Sequence, residues 1–282
     1  MSDYAYDLTK QEAEGKTLRI TKGLSAGNIQ YPGQPRDFDW TVEHIIGPLV
    51  RSGKIGDGVP PYKWDDRKLR YNGVKVTDTE IEIPVGATHF HAGRADMQRD
   101  PKLNEYLQEI GLSVFNERYA LFARPLGVCV LPITLDGSVF IGERTGQDHP
   151  DLLNGVAGYV TFRDPNSLNV QEDLERELQE EFGIAKDELL QSPRLVGTAY
   201  HPNNGEMDIS FLVRVNKPDT YFSSGDWKSH VSEREHKNLA QLTNLAQVEE
   251  LLRDGLVQGH KREIMYSTRL ALESLAASDL RG

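Results

Sequence analysis

The densest chemistry in this 282-residue chain lies in one short acidic stretch. Glu172, Asp173, Glu177, Glu180 and Glu181 fall close together, and Val170, Leu174, Leu178 and Phe182 recur among them at i+4 spacing. That pattern predicts one amphipathic helix over about 170–182. Asn169 with Glu172 has the form of a capping box at its start, and Gly183 is a C-terminal stop. One turn brings Asp173, Glu177, Glu180 and Glu181 within reach of a common point away from the apolar face. Like charges so placed repel. Either the face is simply solvated, or a hard cation such as Mg²⁺ (or Mn²⁺) gathers the carboxylates, because such ions take oxygen ligands and share them with substrate phosphates.

The run Arg176-Glu177-Leu178-Gln179-Glu180-Glu181-Phe182-Gly183-Ile184 resembles the second half of the Nudix signature, Arg-Glu-U-x-Glu-Glu-x-Gly-U with U aliphatic, and fills every fixed position. The resemblance implies a Nudix-type α/β/α sandwich and a pyrophosphohydrolase in which Glu177, Glu180 and Glu181 bind metal. It also implies that Arg176 orients the cluster by pairing with a carboxylate, and that Glu181 or Glu177 serves as general base. In the first half of the signature Leu168 stands where a glutamate is expected and Phe162 where a glycine is expected. An insertion accounts for this: with Ala157-Gly158 as the glycine pair of the family's loop, the connection to Leu168 is longer than usual and Arg163 to Asn166 form the extra turn. The metal-facing backbone carbonyl then comes from Ala157 or Gly158. Glu172 or Asp173 is a candidate replacement for the missing glutamate.

A looser similarity runs through Leu121 to Val128, Ile141 to Thr145 and Ala157-Gly158, and points to the Nudix branch typified by a UDP-glucose pyrophosphatase. The same alignment makes Glu235 a late glutamate that supplies a further ligand or the base, while Glu233 faces the other way if the segment is extended. The implied reaction is hydrolysis of a nucleoside diphosphate linked to a group X, for a UDP-sugar giving UMP and sugar 1-phosphate. The rival is a non-catalytic nucleotide-binding or sensor protein of the same fold. Retention of all three helix glutamates favours the enzyme.

Further candidates are weaker. Arg144, at a strand end, has the planar fork to hold a phosphate. His201 lies in the polar loop His201-Pro202-Asn203-Asn204-Gly205, of the kind that sets substrate specificity. His89 and His91 would share a face on a strand, although two imidazoles do not make a metal site. Tyr200 and Trp227 either stack on a base or anchor the core.

Among the elements that must position these groups, residues 1–117 read as a smaller α+β N-terminal region rich in turn residues, including Tyr31 to Pro35 and Pro60-Pro61. Lys68 to Tyr71 and Lys75 to Ile83 flank Asn72-Gly73 as a hairpin, and Asp100-Pro101 opens a helix ended by Gly111. Residues 118–282 read as the second domain, with strands at Val128 to Leu135, Ser138 to Glu143, Leu195 to Thr198 and Asp208 to Val215. Amphipathic helices over Asn244 to Arg253 and Lys261 to Ala277 close the chain. Strands, one marked helix, strands and then helices predict an α/β sandwich of helices around a mixed sheet.

Composition narrows the rest. With 32 basic against 43 acidic residues and a net charge of −11, a nucleic-acid partner held through phosphates is disfavoured. The single cysteine, Cys129, excludes an intramolecular disulfide and reads as a buried small hydrophobe in a cytoplasmic protein. The longest apolar runs fall short of the ~20 residues of a membrane span. A nucleotide-type small molecule is the expected partner, and a homodimer is left open.

Overall fold

A computed structural model describes residues 5–23, 67–145, 151–163, 168–232, 235–276 and 278–280, apart from the side chains of His91 and Ala95. The turn-rich stretch around Tyr31 to Pro61, Glu233 and most of the extra turn after Arg163 lie outside the described residues.

The chain runs β1 (Ala5–Leu8), α1 (Lys10–Ala13), β2 (Thr17–Lys22), β3 (Arg67–Tyr71), β4 (Lys75–Val76), β5 (Glu80–His89), α2 (Phe90–Gln98) and α3 (Pro101–Phe115). There follow β6 (Leu126–Ile133), β7 (Val139–Arg144), β8 (Leu153–Asn154), β9 (Val156–Tyr159), α4 (Gln171–Phe182), β10 (Arg194–Tyr200) and β11 (Met207–Arg214). The last elements are α5 (Asp219–Ser223), β12 (His236–Leu242), α6 (Leu245–Asp254), β13 (Leu256–Val257), β14 (His260–Lys261) and α7 (Tyr266–Glu273).

The main sheet has eight strands in the order β1-β10-β11-β6-β7-β12, with β9 added beside β6 and β8 beside β7. It is mixed: β11 and β6 run parallel, and the other neighbours antiparallel. The apolar stripe of α4 packs on one face with Val128, Val130 and Ile209. On the other face Leu131, Ile133 and Leu212 meet Val248 and Leu251 of α6 and Ala271 and Leu272 of α7. This is the α/β/α sandwich that the alternation of patterns predicts.

The turn at Asp136-Gly137 joins β6 and β7, which pair only at Ile133↔Val139 before they diverge. The continuous segment β8–β9 fills the opening between them. This split in the sheet is what lets a helix carboxylate reach a strand backbone.

The N-terminal part is woven into the same structure. Strand β1 is an edge of the main sheet, paired with β10. Leu69, Tyr71, Ile81 and Ile83 of the smaller sheet share one apolar cluster with α4 and β6. Buried Arg70 donates to the carbonyls of Tyr119, Ala120 and Phe122, tying the smaller sheet to the turn that leads into β6.

Several local expectations are corrected. The residues on either side of Asn72-Gly73 do not pair as a hairpin. Strand β3 pairs with β5, and β4 turns onto β5 through Thr77 and Glu80 instead. His89 ends β5 and His91 lies on α2, so the two histidines do not alternate along one strand. Helix α3 runs past Gly111 to Phe115, where Asn116 in the left-handed region caps it. Gly111 is instead a close approach, because a Cβ there would lie 2.6 Å from the Arg118 carbonyl oxygen. The expected helix over Lys261 to Ala277 is shorter, Tyr266–Glu273, and follows the β13–β14 ribbon. Trp227 is buried in the core, 5.9 Å from the Phe182 ring, and partly buried Tyr200 packs against the same cluster.

Candidate functional site

Helix α4 spans Gln171–Phe182, one residue later than the capping-box reading. Val170 occupies the N-cap, and Asn169 accepts from the Gln171 N–H instead, so the reciprocal pair with Glu172 does not form. At the other end Gly183 takes the left-handed conformation, and the N–H groups of Gly183 and Ile184 return to the carbonyls of Gln179 and Leu178. A glycine in the left-handed region permits this return of the last N–H groups to helix carbonyls. The helix buries Leu174, Leu178 and Phe182, and with them Asp173, Glu177 and Glu181.

Buried carboxylates need partners. Asp173 receives the fork of Arg163 at 2.6 and 3.0 Å, and Arg176 at 3.3 Å. Arg176 also holds Glu177 and Glu180, each at 2.6 Å. Those contacts with three carboxylates outweigh the effect of burial and raise the guanidinium's pKa. Glu181 is held from the sheet side. The Ala157 N–H donates to its Oε1 at 3.0 Å, and His236 Nε2 stands 2.7 Å from its Oε2.

Glu177 presses against Gly158 on β9. A Cβ at Gly158 would sit inside contact distance of the Glu177 carboxyl, 2.8 Å from even its farther oxygen. Burial, then Glu181, with Glu180 and Glu235 adding and Arg176 opposing, push the Glu177 carboxyl up to about 8. The Glu235 carboxylate meets Arg144 at 3.3 Å, and the Glu235 carbonyl accepts from the Thr145 N–H, so β7 and β12 deliver this pair together. His236, the next residue, is pushed down to about 4 by burial and then Arg144, against Glu235 and the Gly142 backbone.

Glu177, Glu181, Arg176, Gly158, Arg144 and Glu235 thus converge where β9, β7 and α4 meet. Glu180 stays on the outer side of Arg176, and His201 bonds within its own turn to the Asn203 N–H and packs 6.4 Å from the Tyr266 ring. Leu168, at the position of the signature glutamate, packs against the apolar cluster. Glu172 lies near Arg163 at 3.8 Å, and Asp173 is turned inward.

Sequence reasoning passed over His236, which adjoins Glu235 and faces the side-chain-free Gly142. It also missed a second polar cluster on the opposite face of the sheet. There Tyr159 donates to Glu206, and the Asp208 carboxyl is pushed up to about 7 by burial and Glu206. Gly127 makes room for it, since a Cβ there would overlap the Asp208 carboxylate.

Among the described residues no group of three or more His, Cys, Asp or Glu side chains forms a ready-made metal cage. The donor chemistry nonetheless fits a hard divalent ion: the groups are carboxylates, one lies in a glycine cradle, and their mutual repulsion is met by Arg176. Ala157 and Gly158 differ as carbonyl donors. The Val160 N–H bonds the Leu126 carbonyl, so alternation along the ladder turns Gly158 toward β6 and leaves Ala157 facing Glu181.

No family model and no curated protein matches the sequence. Solved structures do. The chain is similar to a MutT NUDIX hydrolase from Burkholderia pseudomallei at 19% identity and TM-score 0.36, covering 54% of this chain and 98% of that one. It is similar to a MutT/nudix family protein from Enterococcus faecalis at 14% identity and TM-score 0.39, covering 62% and 73%. A third is the NUDIX domain of Shewanella oneidensis NrtR, complexed with ADP ribose, at 11% identity and TM-score 0.37, covering 54% and 86%. All three carry the Nudix name. Superpositions this loose leave the assignment of activity to the side chains.

Among the described residues no helix is long and apolar enough to cross a membrane.

Proposed function

We propose that this chain is a Nudix-type, Mg²⁺-dependent pyrophosphohydrolase that cleaves a nucleoside diphosphate linked to X. A UDP-sugar, giving UMP and sugar 1-phosphate, is the substrate favoured by the resemblance of Leu121 to Val128 and Ile141 to Thr145. The single observation that carries the reading is Glu177, buried against Gly158 and crowded by Glu181, Glu180 and Glu235 on a helix whose residues 176–184 fill the signature.

In this reading Glu177, Glu181 and the Ala157 carbonyl would hold the cation, and Glu180 would add a further carboxylate. When bound, the cation neutralises phosphate oxygens and acidifies water. The protein's own groups do the remainder. Arg176 keeps Glu177 and Glu180 from collapsing away from the site. Arg144 offers its fork to a phosphate. Glu181, with an oxygen bonded to Ala157 and the other to His236, is a fixed ligand rather than a base. Glu235, about one-third exposed and paired with Arg144, is the carboxylate that accepts a proton from water as the water oxygen bonds to phosphorus and the bridging P–O bond breaks.

A screen of nucleoside diphosphate-X compounds with Mg²⁺, read as phosphate released after added phosphatase, tests the proposal. Turnover of at least one such compound is expected. Inertness toward the whole panel, with nucleotide binding retained, would favour the sensor reading instead.

A further inference from the structure

His236 opens β12 opposite Arg144, and the side chains of both His236 and Glu181 are fully buried. Its ring is fixed on two sides. Gly142 lies beneath it, where any side chain would overlap the imidazole, and Phe182 meets it edge-on at 5.4 Å and 72°. Nε2 is 2.7 Å from Glu181 Oε2, while Nδ1 is buried without a well-formed hydrogen bond. A proton on Nδ1 would set the Nε2 lone pair against a carboxylate lone pair. The proton therefore belongs on Nε2, and Glu181 receives one N–H on each oxygen, from His236 and from Ala157. A wholly apolar ring would fill the same space and leave no nitrogen unpaired, so packing alone does not account for histidine here.

The geometry points to His236 as a positioning residue that, with the Ala157 N–H, clamps the Glu181 carboxylate in the orientation in which it receives a divalent cation. The inference rests on the reading of α4 as a cation site. Held by two donors, the Glu181 carboxylate is fixed in one rotamer.

Mn²⁺ binding to the full chain, followed by electron paramagnetic resonance for wild type, His236→Phe and His236→Gln, is the test. His236→Phe is expected to weaken Mn²⁺ about 10–100-fold, the scale seen when a partner that orients a ligand is removed. His236→Gln keeps an amide N–H that can reach Oε2, so it should recover most of that loss. Nitrogen-edited NMR of wild type should show the proton on Nε2. An Nδ1–H tautomer, a folded His236→Phe within about twofold of wild-type affinity, or equal losses in both variants would overturn the proposal. Wild type that binds no Mn²⁺ would overturn the cation reading itself and this role with it, whereas wild type that binds beside an indifferent His236→Phe refutes only His236. Should both variants fail to fold, the wild-type tautomer decides.

Discussion

Gly158→Ala isolates the closest approach in the site. Gly158 is outside the left-handed region, so alanine adds no backbone strain, and the added methyl meets only the Glu177 carboxyl at its three nearest contacts. The carboxylate must swing away. Overpacking of this kind costs about 1–3 kcal/mol, and moving a catalytic group by about 1 Å costs roughly a hundredfold in rate. We expect Gly158→Ala to lower the urea midpoint correspondingly and to weaken Mg²⁺ activation. In a Glu177→Ala background the clash is gone, and the same substitution should cost less than about 0.5 kcal/mol, the remainder being the coupling between the two positions. Equal costs in both backgrounds, measured by urea unfolding at one pH, would refute the close contact as the reason for glycine.

Three other outcomes follow from the same geometry. Burial and the neighbouring carboxylates raise Glu177 from its usual value near 4.5 to about 8. Its contribution to stability is therefore complete below the lower value and lost as pH climbs through the upper one. Glu177→Gln should gain on wild type from pH 5 to pH 8.5 without divalent ions, by on the order of 4 kcal/mol at the upper limit, and parallel unfolding curves would contradict this. Glu235→Gln should lower kcat by about a hundredfold with little change in KM, and a KM effect alone would make Glu235 a binding group. Leu168→Glu, which restores the signature residue, places a carboxylate against the apolar cluster and should cost about 1–3 kcal/mol with no gain in rate, so faster turnover would show that the position still serves the site.

What was legible in the sequence was whatever repeats at short range. Val170, Leu174, Leu178 and Phe182 announce α4 within a residue, and Gly183 its end, because period and cap are local properties. The strands β6, β10 and β11 are legible for the same reason, as are the pairing of Arg176 with a helix carboxylate and the burial of Cys129. The misread parts depend on partners far along the chain. Asn72-Gly73 looks like a hairpin turn, but Asn72 bonds the Pro84 carbonyl, and strand β5 outcompetes the nearer β4 for β3. Gly111 looks like a stop, yet its missing side chain serves the approach of residues 117 and 118. The His236–Glu181 contact spans 55 positions and depends on Gly142 in a third segment, so no window of sequence contains it. The joining of β1 to β10 is likewise invisible until the sheet is assembled.

The central proposal is that α4 is a cation-dependent catalytic helix. Steady-state hydrolysis of the best nucleoside diphosphate-X substrate, by wild type and Glu177→Gln, with Mg²⁺ and again with excess chelator, tests it most directly. The account predicts a nucleoside monophosphate and phosphorylated X as products, activity abolished by chelator, and kcat at least about a hundredfold lower for a folded Glu177→Gln. Full turnover in chelator, or wild-type kcat in Glu177→Gln, would contradict it.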